Sequence, residues 1–526
     1  MYETNWLSLS TLYLMLQTAY ENTFRYLLQV GFNMLAWTHF QALPSHISEE
    51  TITIKTKPRD LNHNSREFLD KVERAFSHSM KEKSLLLCSN QLKNQFLERL
   101  QDPSCMLPTF NHKLPSGEET GTFIALDLGG STLRVALVKL TGKRENGSGF
   151  EISSLKTVKI TSDVKTLSGH LFFDWIAGRI EETLLEQNYS ASTFSMGISW
   201  SFPIEQTSHR NGLLMNMGKG FSAADILLKQ DLRDLIRDSC QKRGLVVNLD
   251  AITNDSTATL LSKAYTDTTT QFSLILGTGV NAAINLPTRL FAASKFGCRS
   301  PEWHASAEQV IVNTELSMMG KDSLPVTEWD KKLMALHPNP NFQPFELMVS
   351  GRYLGEIIRL VLVDGIETAG LFDGIVPPSL REMYSLDTET ISQIESDQSS
   401  TQQKAGQILH EKHPSLVAPT RKDMLALRFI SSHVIYRASS LVAAAIHSLW
   451  QLCNEVRSIS SEDYSKTLVA CNGSVIEYYP GFKVACQSRL DSLVQESGGE
   501  RGLVKLVIAE NSSLLGAAVA SAIASS

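Results

Sequence analysis

The sequence predicts an α/β fold. Apolar, β-branched runs alternate with segments of helical periodicity, as layered sheet and helix require. Three of those runs end in turns that carry glycine, at Gly129-Gly130, Gly277-Thr278-Gly279 and Gly473. The length of 526 residues, at ~100–200 residues per domain, allows two to four lobes with cores of their own.

The elements follow in order. Residues 1–43 form a weakly charged segment in which Leu9, Leu12, Leu16, Leu27, Val30 and Met34 recur at helical intervals. Its uncharged runs fall short of the ~18–20 residues a membrane-spanning helix needs. An amphipathic helix docking on the body, on a protein partner or on a membrane surface is expected there. A polar, proline-punctuated connector covers 44–64, and helical periodicity follows over 67–76 and 91–100. Strands are expected at 122–127, 133–140, 195–201, 246–249, 272–276 and 467–471, the first two joined as a hairpin through Gly129-Gly130. Helices are expected at 224–240, 257–265, 353–363 and 426–452, the last a core helix face. The Ser/Thr/Gln-rich stretch 385–404 reads as a surface segment, and no repeat of 20–50 residues is present.

Composition narrows the function classes. Hydrophobic residues make up 42 % and charged residues 20 %, an ordinary globular balance. The formal net charge is −6 and no long basic block occurs, which argues against nucleic acid as a partner. The seven cysteines are scattered without a CxxC pair, as suits a reducing compartment rather than a disulfide framework or zinc site. A cytoplasmic location is expected, with the mitochondrial surface or nucleus as alternatives. His410 and His413 read as a solvated pair, since no third metal ligand stands nearby.

The chemistry-bearing segments are the strand-terminal turns. In Leu126-Asp127-Leu128-Gly129-Gly130-Ser131-Thr132-Leu133-Arg134 a carboxylate ends a strand and two glycines follow. Glycine lets backbone N–H groups approach phosphate oxygens, and Asp127 is placed to hold Mg²⁺ through water. A plain hairpin would carry the same residues. Three such turns together outline a phosphate cradle.

These segments, in this order, resemble the eukaryotic hexokinase family. The family pattern DLGGTN-x-RV corresponds to residues 127–135, FSFP to 200–203, and NDT to 254–256. GTGxNA corresponds to 277–282, NTEW to 313–316, FEKMxSGxYLGE to 345–356, DGS to 472–474 and GSGxGAA to 512–518. The resemblance runs from about residue 66 to 524. It implies a two-lobed, actin-like (ribonuclease H-like) sugar-kinase fold with a central cleft: an N-terminal extension over 1–65, a small lobe over 66–261 and a large lobe over 262–526. The implied activity is ATP-dependent phosphorylation of a hexose at its 6-hydroxyl. A hexokinase-like regulatory or sugar-sensing protein with little turnover is the alternative.

Residue by residue, the resemblance implies that Ser201, Lys219, Asn254, Asp255, Asn281, Glu315 and Glu346 contact the sugar. Asp255 would be the base and Lys219 would steady developing charge. On local sequence alone, Asn254-Asp255-Ser256 is also a good helix cap. ATP with Mg²⁺ would lie on Asp127, Gly129, Gly130, Ser131, Thr132, Arg134, Gly277, Thr278, Gly279, Gly473, Ser474, Ser512 and Ser513, with no metal held by the protein itself beyond that Mg²⁺. Several positions depart from the pattern. Met217-Gly218 replaces Trp-Thr, Ser131-Thr132 replaces Thr-Asn, and Asn472 replaces Asp. Leu316 replaces the Trp of NTEW, and Ser512-Ser513-Leu514-Leu515 stands where glycines are expected. Leu514 is expected to crowd the adenosine side.

Overall fold

Two sheets built to one plan carry the molecule. The computed structural model describes residues 55–58, 60–143, 149–185, 193–218, 220–340 and 342–525. The expected helix in 1–43 and the candidate Lys219 lie outside them.

The first sheet has the order β4-β3-β2-β5-β8. Its strands are β2 (Thr120–Leu128), β3 (Thr132–Thr141), β4 (Phe150–Lys159), β5 (Phe194–Trp200) and β8 (Val247–Thr253). β2, β3 and β4 form an antiparallel meander, and β5 and β8 add in parallel. The second sheet has the order β1-β11-β10-β9-β12-β13. It comprises β1 (Leu107–Pro108), β9 (Thr270–Leu276), β10 (Val280–Pro287), β11 (Gln309–Asn313), β12 (Thr467–Asn472) and β13 (Val504–Ile508). Again three strands form an antiparallel meander and two add in parallel. Apart from the added β1, the second order repeats the first. In both sheets the first meander hairpin turns on glycines, at 129–130 and 277–279.

Each half ends in a helix, and the two helices change places. The helix Asp255–Thr266 leaves β8 of the first sheet yet packs on β9, β10, β11 and β12 of the second. The helix Ser512–Ser525 leaves β13 of the second sheet and packs on β2, β3, β5 and β8 of the first. The helices also pack on each other. Their shared core holds Phe123, Ala125, Ala136 and Val138 from the first sheet, Ala283 and Ile311 from the second, and Leu260, Leu261, Leu514 and Leu515 from the helices. Small residues make this approach possible. A Cβ on Gly516 would stand 1.9 Å from Ala258 O, and one on Gly197 would stand 1.9 Å from Ala517 O.

The expected lobe boundaries need correction on two counts. Helices His63–Ser77 and Glu82–Arg99 fall largely in the range expected for the small lobe, but Phe68, Leu69, Val72, Leu92 and Phe96 join the core of the second sheet and the 36-residue helix Arg421–Val456. An amphipathic helix goes where its apolar stripe is covered, and that long helix supplies the surface. The boundary at 261/262 falls inside the helix Asp255–Thr266, which belongs to one lobe by connection and to the other by packing.

Three local expectations also change. The helix expected over 224–240 is a short 3₁₀ turn, Ala223–Ile226, followed by Leu232–Gln241. Between them Lys229 has φ +66° and Asp231 caps the new helix through Arg233 N–H. The polar stretch 385–404 is only in part a surface segment: exposed and buried positions are interspersed along it, and it contains the helix Thr388–Glu395. Its polarity serves Arg428, a buried guanidinium that donates to the Asp397 carbonyl (2.7 Å), Gln402 Oε1 (2.5 Å) and Glu395 Oε2 (3.3 Å). His413 is buried with its Nδ1 2.9 Å from Ser379 Oγ, so it is not a solvated partner of His410.

Candidate functional site

The sugar-side candidates gather where the first strands of the second meander meet the end of β8. Asn254 caps the helix Asp255–Thr266: its Oδ1 accepts from Thr257 N–H at 2.9 Å. The capping role therefore falls to Asn254, and Asp255 starts the helix with Oδ1 accepting Ser256 N–H at 2.7 Å. Asn281, on β10, donates from Nδ2 to Asn313 Oδ1 (2.8 Å), and Asn313 donates from Nδ2 to Glu315 Oε1 (2.8 Å). Asn281 Oδ1 accepts from its neighbour Ala282 N–H at 2.8 Å. This chain fixes the Asn281 amide and leads to the Glu315 carboxylate. Glu315 sits at φ +52°, a left-handed conformation that an acidic residue adopts at a cost. Glu346 Oε2 accepts from Val280 N–H at 3.0 Å, beside Gly279, where a Cβ would stand 2.7 Å from that oxygen and push the carboxylate aside.

Electrostatics join the three carboxylates. Burial pushes the Glu315 carboxyl above its ordinary value; the Asn313 hydrogen bond opposes this, and the charges of Asp255 and Glu346 add to it. Asp255, Asn281, Glu315 and Glu346 thus converge. Ser201 follows β5 and donates its N–H to Leu128 O at 3.2 Å, which places it beside the first glycine turn.

The glycine turns form two groups. The first turn is closed by Gly129 N–H to Thr132 O at 3.0 Å. Asp127 is buried, and its Oδ2 accepts from Arg134 Nε (2.9 Å) and Nη2 (2.6 Å). The second turn is closed by Gly277 N–H to Gly279 O at 3.0 Å, and it is clamped from outside by Gly351 N–H to Gly277 O (2.7 Å) and Arg352 N–H to Thr278 O (3.2 Å). The third abuts the second: a Cβ on Gly277 would stand 3.3 Å from Ser474 N, and one on Gly473, at φ +125°, would stand 2.5 Å from the Leu276 carbonyl carbon.

Ser512 and Ser513 open the helix Ser512–Ser525. Both are buried, and Ser512 Oγ lies 2.9 Å from Thr259 Oγ1. Leu514 does not crowd a ligand seat. Its side chain is fully buried in the core shared by the exchanged helices. At the Met217-Gly218 departure, Gly218 has φ +61° and donates to Asn216 Oδ1 at 3.0 Å, and a Cβ would meet nothing within 4 Å.

Two contributors were missed from the sequence. Asn313 opens the stretch 313–316 but reads there as an ordinary strand end; only its pairing with Asn281 across β10 and β11 reveals the bridge. Gly351 carries its contribution on the backbone, which side-chain reasoning does not see. A Cβ at Gly351 would stand 2.8 Å from Gly277 O.

Hexokinase profiles match residues 65–265 and 271–523. Hexokinase-2 of Oryza sativa subsp. japonica is 31% identical over 429 residues, covering 79% of this chain and 82% of its own length. The chain belongs to the hexokinase family. N-acetylglucosamine kinase 1 of Candida albicans is 29% identical over 496 residues, covering 88% of this chain and 95% of its own. A solved hexokinase from Schistosoma mansoni, complexed with glucose, superposes with a TM-score of 0.70 at 27% identity, covering 87% of this chain and 99% of that one. The fold is the two-lobed, actin-like sugar-kinase fold, and the duplicated sheets with exchanged helices are its form in this hexokinase relative.

Proposed function

We propose that this hexokinase-family protein phosphorylates a glucose-like hexose at its 6-hydroxyl, with ATP as phosphoryl donor. The observation that carries the reading is the convergence of Asp255, Asn281, Glu315 and Glu346 beside the paired glycine turns. Carboxylates accept from sugar hydroxyls, while the Asn281 amide both donates and accepts. Because Asn313 and Val280 N–H hold Glu315 and Glu346 in place, a sugar with hydroxyls in matching positions binds without reorganising the site. An analogue lacking a hydroxyl leaves a fixed carboxylate unpaired, which is the basis of discrimination. Asp255, at the start of its helix, takes the proton as the 6-oxygen becomes nucleophilic.

The turns fit a polyphosphate by shape. At Gly473, and at Gly279 against Glu346, a Cβ would collide with backbone or a carboxylate, so bare backbone is what these positions present. Gly129, Gly130, Thr278 and Ser474 would line the phosphates. Magnesium supplied with ATP would neutralise phosphate charge.

A second reading, sugar binding with little turnover, draws on Gly218. Its missing side chain removes a hydroxyl from the sugar side, a loss worth about 1–3 kcal/mol in a polar pocket. The relative named as an N-acetylglucosamine kinase makes the 2-acetamido sugar the second substrate to try. A coupled assay of purified protein with MgATP and either glucose or N-acetylglucosamine decides among these readings. Turnover on one sugar, lowered about 10²- to 10⁴-fold by Asp255→Asn with sugar affinity held within a few-fold, is the expected result. Measurable sugar binding without turnover on either sugar would establish the second reading.

A further inference from the structure

The third glycine turn uses its amide differently from the other two. Gly129 and Gly277 donate N–H to neutral carbonyls within their own turns. Gly473 donates to a charged side chain, Glu477 Oε1 at 2.8 Å. The acceptor is an anion, and so is the phosphate chain for which this turn is otherwise shaped. Glu477 is half-buried, and other groups around it set the local charge. The neighbouring Tyr478 hydroxyl is pushed up first by burial, then by Glu477 and Glu510, while Arg134 of the first sheet opposes. Arg134 is committed to Asp127. On the other side, Lys483 and Glu477 act with opposite sign on Cys471. The acidic groups at this corner are thus Glu477, Glu510 and Asp127, against Arg134 and Lys483.

We propose that Glu477 is an internal competitor for the phosphate chain of the nucleotide. Its carboxylate holds the amide of the third glycine turn, so a polyphosphate must displace it or bind beside its charge. Like charges placed together in a partly desolvated site disfavour binding and do so in proportion to the ligand's charge. Glu477 is therefore a selectivity residue of the donor side, set against highly charged nucleotides. This rests on the nucleotide reading given above.

The test is calorimetric titration of wild type, Glu477→Gln and Glu477→Lys with MgATP, MgADP and adenosine, each at low and high salt with saturating sugar. Glutamine keeps the shape and removes the charge; lysine reverses it and serves as the second variant. The expected result is MgATP binding about fivefold tighter in Glu477→Gln and tighter again in Glu477→Lys, a smaller gain for MgADP, and none for adenosine. High salt should shrink the differences. Equal affinities for MgATP in all three proteins, or an equal gain for adenosine, would overturn the proposal. If no protein binds MgATP while sugar binding is intact, Glu477 is not the limiting group and the donor reading falls with it. If MgATP binds equally well to all three, the kinase reading stands and only the role of Glu477 is lost.

Discussion

A carboxyl held above its usual range makes ligand affinity depend on pH. Glu315 is such a group, because burial and the charges of Asp255 and Glu346 all favour its protonated form. If Glu315 contacts the sugar as proposed, the hydroxyls donate to its ionised form and bound sugar lowers this carboxyl's pKa. Sugar affinity should therefore fall as pH drops through the window above the ordinary 4.5. For the empty protein the sign is opposite. Here the folded pKa lies above the unfolded one, so ionisation costs stability as pH rises through that window. Glu315→Gln should thus weaken sugar binding at neutral pH, remove its dependence on pH in that window, and raise the melting temperature of the unliganded protein. A variant that binds sugar with the parent's pH profile would show that Glu315 is not the responsible group. Gly218 carries a different lesson at the same scale. Restoring threonine there adds the family's hydroxyl, but at φ +61° it also strains the backbone. Any gain in sugar affinity is set against that cost.

The exchanged helices hold the two sheets together, and their seats are made of glycine. Gly516→Ala would drive a methyl group to 1.9 Å from Ala258 O, so the helix Ser512–Ser525 has to move off Asp255–Thr266. The expected loss is at the upper end of the ~1–3 kcal/mol of an overpacked core, or beyond it. Because Asp255 starts the facing helix, activity should fall further than stability alone accounts for. A Gly516→Ala protein with unchanged melting temperature and kcat would contradict the packing described. The elements legible in the sequence were those with a clear period or a punctuated end. Helices at 67–76, 257–265, 353–363 and 426–452 lie inside observed helices, and every expected strand lies on or overlaps an observed one. Several others were not legible. β4 is an edge strand whose alternation of Ser, Thr and Lys with Ile, Leu and Val is only half-buried; β10 mixes Asn and Ala into its run directly after a glycine turn, and β11 is only five residues long, bounded by Gln309 and Asn313. Likewise the turns at 129–130, 277–279 and 473 stood out through glycine. The Asn281–Asn313–Glu315 chain and the Glu477 contact depend on pairings that local sequence does not display.

The whole molecule should be sensitive to mild acid. His209, His433 and His447 are each held down to about 4, in every case chiefly by burial. His447 lies between Ser89 Oγ at 2.8 Å and Ser497 Oγ at 3.0 Å, and His433 Nδ1 lies 2.6 Å from Ser77 Oγ. His209 also faces His112, Arg210 and Arg299. A folded pKa below the unfolded value near 6.5 gives stability that is present above 6.5 and lost as pH falls toward 4. The melting temperature should drop steeply over that window, and His447→Gln should flatten the slope. A melting temperature constant from pH 7 to 4.5 would rule this out. The helix exchange has a further consequence, for the order in which the protein is made. The strands carrying Phe123, Ala125, Ala136 and Val138 are translated early, while the helix that covers them, Ser512–Ser525, is translated hundreds of residues later. Until then the growing chain carries a bare apolar sheet face, with its closing contact among the most distant in sequence that the fold contains. Such topologies fold slowly and expose sticky surface while they wait. The first sheet of this protein is accordingly expected to be prone to aggregation until the helix Ser512–Ser525 has been made.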